Sequence, residues 1–179
     1  YAGASIEEIP FEPKKTIGTT YLFDEWIQSD IILAGDKIIE NVSTKYDVRN
    51  NTIDISYKGE VRILPVHRIK KMKIYKQTET LELVNPRIYR SSNIPQLLEV
   101  LYSGTYSLFK KYEVVVKRAN YVPALDAGSR NDELVLQESY FFSKDESIKP
   151  LPSSRKKIIK VIEKDKELSK SFLKDNKLN

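Results

Sequence analysis

The stretch KYDVRNNTIDISYKGEVRI, residues 45–63, decides the fold, because its apolar side chains alternate with polar ones, stop at Asn50-Asn51 and then resume. Alternation with a period of two is the mark of a half-buried strand, and an Asn-Asn step between two such runs is a hairpin signal, since Asn tolerates positive φ. A two-residue type I′ loop at Asn50-Asn51 sets Arg49 opposite Thr52, Val48 opposite Ile53 and Tyr46 opposite Ile55, with the apolar residues on one face. A three-residue loop at Lys58-Gly59-Glu60 then sets Tyr57 against Val61 and Ile55 against Ile63, so that three strands share that face. Asp47, Arg49, Thr52, Asp54, Ser56 and Arg62 fall on the other side, which is predicted to be wet.

Strand signals continue in both directions from this meander. Residues 21–23 and 25–33 read as strands around Trp26, a turn follows at Ala34-Gly35-Asp36, and residues 37–48 return. Trp26 is expected to be a core anchor, with a ligand platform as the alternative. Residues 66–75 and 80–84 add two strands before a turn at Asn85-Pro86. Residues 96–118 read as a hairpin that reverses at Ser103-Gly104-Thr105, with Tyr102 against Tyr106 and Val100 against Leu108. Residues 120–132 carry the Pro, Gly, Asp and Asn of an irregular loop, longer than a tight connection needs, and residues 134–142 restore a strand.

At Lys149-Pro150-Leu151-Pro152 the character changes. Ser153 or Ser154 is placed to cap a helix with Ile158, Ile159 and Ile162 on its inner stripe, and a second helical piece carries Leu168, Phe172 and Leu173. The expected organisation is an N-terminal arm at 1–17, an antiparallel β domain at 18–152, and a basic helical segment at 153–179. The fold class is mainly β, α+β by content: a meander of about eight to ten strands curled into a half-barrel or open roll, with the C-terminal helix or helix pair packed on it.

Charge follows the same division. Residues 153–179 hold nine basic and four acidic side chains, and that excess of five is the whole formal charge of +5. The β domain is therefore neutral. A basic helix suits phosphates, anionic surfaces or acidic partners, but Phe172 is the tail's sole aromatic, so the interleaved aromatics of a nucleic-acid interface are missing and nucleic acid is not the expected partner.

What the chain lacks excludes much chemistry. With 179 residues, 40% of them hydrophobic and 31% charged, it is long enough for a real core, and no apolar run approaches the roughly 18 residues of a membrane span. It has no cysteine and one histidine, His67, which removes disulfides, thiolate catalysis, cysteine-ligated zinc and histidine triads. Ser107-x-x-Lys110 and Ser153-x-x-Lys156 match a serine–lysine spacing without its companion motifs. Asp24 and Glu25 beside Trp26 offer carboxylates for a carbohydrate-active hydrolase, and Asp126, Asn131, Asp132 and Glu133 lack the ligand alternation of a calcium loop. No catalytic residue, metal site or cofactor is assigned.

Four segments together, GTTYLFDEW (18–26), KYDVRNNTIDISYKGEVRIL (45–64), YSLFKKYEVVVK (106–117) and FLKDNKLN (172–179), resemble a group of uncharacterised exported β-rich proteins of Bacteroidota. The resemblance implies a signal peptide removed before Tyr1, which fits a chain whose one methionine is Met72, and a periplasmic or cell-surface location. It carries over no activity. The expected role is therefore a non-enzymatic envelope or surface protein that binds a protein or glycan partner; the alternatives are the hydrolase and a nucleic-acid or anionic-surface binder working through the basic C-terminal helix. Candidate contacts are Trp26, then Tyr121, Asp126 and Arg130 in the long loop, then Arg155, Lys156, Lys157 and Lys160 in the tail.

Overall fold

The computed structural model describes residues 15–89, 93–104, 106–144, 147–152 and 154. Strand makes up 60% of the structure, in one open sheet of eleven strands. In chain order these are β1 (Thr16–Ile17), β2 (Ile27–Leu33), β3 (Ile38–Asp47), β4 (Thr52–Tyr57), β5 (Glu60–Pro65), β6 (Ile69–Tyr75), β7 (Thr80–Val84), β8 (Leu98–Tyr102), β9 (Tyr106–Lys117), β10 (Asp132–Lys144) and β11 (Ser147–Pro150). The spatial order is β1-β10-β9-β8-β7-β6-β2-β3-β4-β5, with β11 also on β10. All pairings are antiparallel except that of β1 with β10.

The helices expected at 153–179 have no support: among the described residues there are three short 3-10 turns and no α-helix, and nearly all of that segment lies outside them. Among the described residues the sheet buries much of its apolar face against itself, and one hydrogen bond shows how it does so. Leu97 N–H, just before β8, donates to Tyr46 Oη of β3 over 3.1 Å. Four strand spacings separate β8 from β3, about 19 Å in a flat sheet. Only a curled sheet brings the two together.

The inside of that curl is the main core. Ile31, Tyr46, Ile53, Ile55, Met72 and Leu83 all lie within it, joined by Leu97 and Tyr112 from the far side. A smaller cluster of Val84, Leu98, Phe109 and Ile148 occupies the opposite face under β11, where Tyr89 meets Phe109 edge-on at 5.4 Å. Asn85 ties the connection between β7 and β8 to the sheet: its buried amide donates to the carbonyls of Val66 and Ile69, and its carbonyl caps Arg87 N–H.

The meander forms with two corrections of register. Tyr46 faces Ile53 and Asp47 faces Thr52, so the first loop has four residues, Val48 to Asn51, with only Asn51 of the Asn pair at positive φ. Asp47 causes the shift. Its carboxylate, in place of the predicted wet position, is buried and accepts from Asn50 N–H, Asn50 Nδ2 and Thr20 Oγ1, while Val48 N–H donates to Thr20 carbonyl. A slip of two keeps every side chain on its face, so Tyr46, Val48, Ile53 and Ile55 are all buried as the alternation requires.

The second loop has two residues, not three: Lys58 and Gly59, both at positive φ, join Tyr57 to Glu60. That change of one flips β5. Ile55 faces Arg62, and Val61 and Ile63 stand outside at 58% and 67% exposure.

Candidate functional site

Three of the residues singled out in the sequence meet in space. The loop between β9 and β10 is closed at its base by Asp132, which accepts from Arg118 Nη1 at 2.6 Å and Ala119 N–H at 2.8 Å. Above it, Asn120 N–H donates to Ser129 carbonyl, Val122 N–H to Ala127 carbonyl, and Ser129 N–H to Asn120 Oδ1. Gly128 is required here: its φ is +96°, and a Cβ would lie 2.5 Å from Asn120 carbonyl oxygen.

This frame holds Tyr121, Asp126 and Arg130 together. Tyr121 Oη donates to Asp126 Oδ1 at 2.6 Å, and Arg130 Nη2 donates to the same hydroxyl at 2.7 Å, with the guanidinium 4.3 Å from the Tyr121 ring centre. The Arg130 and Asp126 side chains remain 67% and 83% exposed, and Leu125 beside them is 75% exposed. The hydroxyl orders both charged groups while leaving them open to a ligand, and stacking stiffens the arginine.

Trp26 is not a core anchor. It lies at the surface, 41% exposed, just before β2. Lys45 Nζ sits 5.6 Å from its ring and 5.2 Å from that of Tyr21, and Tyr21 Oη donates to Asp54 Oδ2 at 2.7 Å. That bond to a carboxylate, with some burial, pushes the Tyr21 phenol up to about 12. A cavity of about 10 Å³ opens nearby between Phe23, Glu25 and Thr44, room for about one water and no substrate. Asp24 and Glu25 themselves are exposed. Arg155, Lys156, Lys157 and Lys160 lie outside the described residues.

Comparisons with protein-family models, with curated proteins and with solved structures found no match to this chain. Its site must therefore be read from its own geometry.

One further constellation escaped the sequence reading. On the inner face, Lys110 Nζ stands 3.4 Å from Glu99 Oε2 and 3.7 Å from Glu138 Oε1, and 3.3 Å from Tyr112 Oη. Tyr112 Oη donates to Glu99, and Tyr140 Oη donates to Glu138 Oε2 at 3.0 Å. Burial and then the Glu99 bond raise the Tyr112 phenol; burial opposes charge on Lys110, but Glu99 and Glu138 outweigh it and its pKa rises.

The alternation of Lys110 and Tyr112, and of Glu138 and Tyr140, was visible as i, i+2 spacing on strands. What hid the cluster was register. The predicted hairpin sets Tyr102 against Tyr106 and Glu99 against Phe109, whereas Tyr102 faces Leu108, two residues further along, and a bulge at Leu101 takes back one, leaving Glu99 against Lys110.

This geometry also removes the serine–lysine pairing of Ser107 with Lys110. Residues three apart on β9 point to opposite faces, and a lysine clamped by two carboxylates is held protonated, the reverse of what a general base needs. Among the described residues, no group of three or more His, Asp or Glu is placed to hold a metal ion.

Proposed function

We propose that the protein is a non-enzymatic exported envelope or surface protein that binds a protein or glycan partner through the β9–β10 loop. The observation that carries this reading is the convergence of Tyr121, Asp126 and Arg130, spread over ten positions, into one ordered and exposed cluster beside Leu125. Tyr and Arg are the residues most enriched where interfaces concentrate their energy, and here both are already held in place, which lowers the entropy lost on contact. Trp26 and Tyr21, also on the surface, offer a second aromatic contact. No helix among the described residues is long and apolar enough to cross a membrane.

The test has two parts. A photo-crosslinker at Leu125, in protein expressed in its native host, should give an adduct in the envelope fraction that Arg130→Ala and Tyr121→Ala reduce by about tenfold, a loss of one hot-spot contact. A glycan array probed with the same three proteins separates a sugar from a protein partner. A chain confined to the cytosol, with no adduct and no glycan signal, would sink the proposal.

A further inference from the structure

The two edges of the sheet are treated differently. At one end β10 is covered by β1 near its start, at Asp132 and Glu133, and by β11 near its finish, from Phe141 to Lys144. At the other end β5 pairs with β4 on one side, and among the described residues no strand lies on its other side. In a two-residue hairpin the residues flanking the loop exchange both backbone bonds, so Glu60, Arg62 and Leu64 are engaged with β4. The N–H and C=O groups of Val61 and Ile63 therefore point outward from the sheet.

Natural edges are usually blunted by bulges, by inward charges or by a cover. The β4–β5 register runs unbroken from Tyr57 to Thr52, and Pro65 interrupts donation only at the far end. Val61 and Ile63 stand on the outer face of the strand at 58% and 67% exposure, so among the described residues the edge is unpaired and its outer face is apolar, with Glu60 and Arg62 on the inner face.

We propose that this edge docks a second copy of the chain, the two β5 strands pairing antiparallel about a two-fold axis through Val61. An isologous contact needs a self-complementary strand, and the residues around Val61 supply one. With Val61 facing Val61, the two valines exchange a pair of backbone bonds, and Glu60 of each copy faces Arg62 of the other. Both side chains are exposed, at 75% and 65%, their mutual contact within one strand is a loose 3.6 Å, and the Arg62 guanidinium otherwise stands 5.3 Å from the Tyr57 ring centre, so exposed contacts alone have to yield for the two to re-pair across the axis. Moving the axis to Arg62 would place two arginines directly opposite each other. Opposite charges favour the first register and like charges disfavour the second.

The chain has no cysteine, so single introduced thiols report contact directly. In sedimentation velocity on the full chain, the wild type should shift from monomer to dimer with rising concentration, and Val61→Lys or Ile63→Lys should stay monomeric, with a urea midpoint equal to that of the wild type at concentrations where the wild type is monomeric. Glu60→Arg should weaken dimerisation by about tenfold, and Glu60→Arg with Arg62→Glu should restore it to within about threefold. Mild oxidation should link Val61→Cys to itself and leave Arg62→Cys unlinked. A wild type that is monomeric throughout, a dimer indifferent to the lysine variants, or linkage of Arg62→Cys in place of Val61→Cys each overturns the proposal. Tyr121→Ala should leave the dimer intact, which separates this contact from the loop's binding role.

Discussion

One row of side chains crosses the inner face of the sheet from β2 to β10: Ile31, Met72, Leu83, Glu99, Lys110 and Tyr140, each directly opposite the next. Its first three members are at most 1% exposed, whereas the last three form a charged, half-open cluster. The strands are alike in pairing and pitch, so the difference is one of cover. Where the sheet curls over itself the row is dry; where β9 and β10 run past the curl, the same face meets water and carries ionised groups. Tyr112 stands at the boundary, with its ring in the core and its hydroxyl on Glu99.

The largest effect should come from the dry half. Leu83→Ala is expected to cost about 2–5 kcal/mol in urea unfolding, since a fully buried leucine leaves a cavity that a close-packed curl cannot fill. A loss under 1 kcal/mol would mean that the curl is loose. Lys110→Met should cost about 1–3 kcal/mol by leaving Glu99, whose side chain is 14% exposed, without its cation, and adding Glu99→Leu should recover most of it. If the double variant is no more stable than the single, the cluster stabilises through packing and not through charge.

A smaller, pH-linked difference separates Tyr21 from an ordinary phenol. Its pKa rises from 10.0 to about 12 on folding, so the stabilisation from its bond to Asp54 is whole below pH 10 and disappears as pH climbs through about 12. Urea midpoints taken across that window should fall less steeply in Tyr21→Phe than in the wild type. The smallest effect belongs to the exposed loop. Tyr121→Ala and Arg130→Ala should each change stability by no more than about 0.5 kcal/mol while reducing partner crosslinking about tenfold, and a larger loss by thermal unfolding would mark the cluster as structural.

Most strands were legible in the sequence, because alternation is a local property of a pleated chain. The 80–84 strand matches in full, and the Asn85-Pro86 turn stands where it was read. Residues 16–17 and 147–150 were not read as strands, being too short to show a period; they exist because β10 offers them a partner. The loop residues Tyr121, Asp126 and Arg130 were legible as candidates from composition, yet their meeting depends on Gly128 and on the bonds through Asn120.

The sequence by itself determined which side chains alternate and where the chain can turn, since both follow from covalent geometry and local sterics. It also determined that the chain has no thiol and a single imidazole for chemistry. Tertiary structure alone decided the register. A bulge at Leu101 set Glu99 against Lys110, Asp47 drew the first loop of the meander out to four residues, and a two-residue turn at Lys58-Gly59 put Val61 and Ile63 outside. Each depends on one or two extra or missing residues, whose cost is settled by distant partners that no local pattern names.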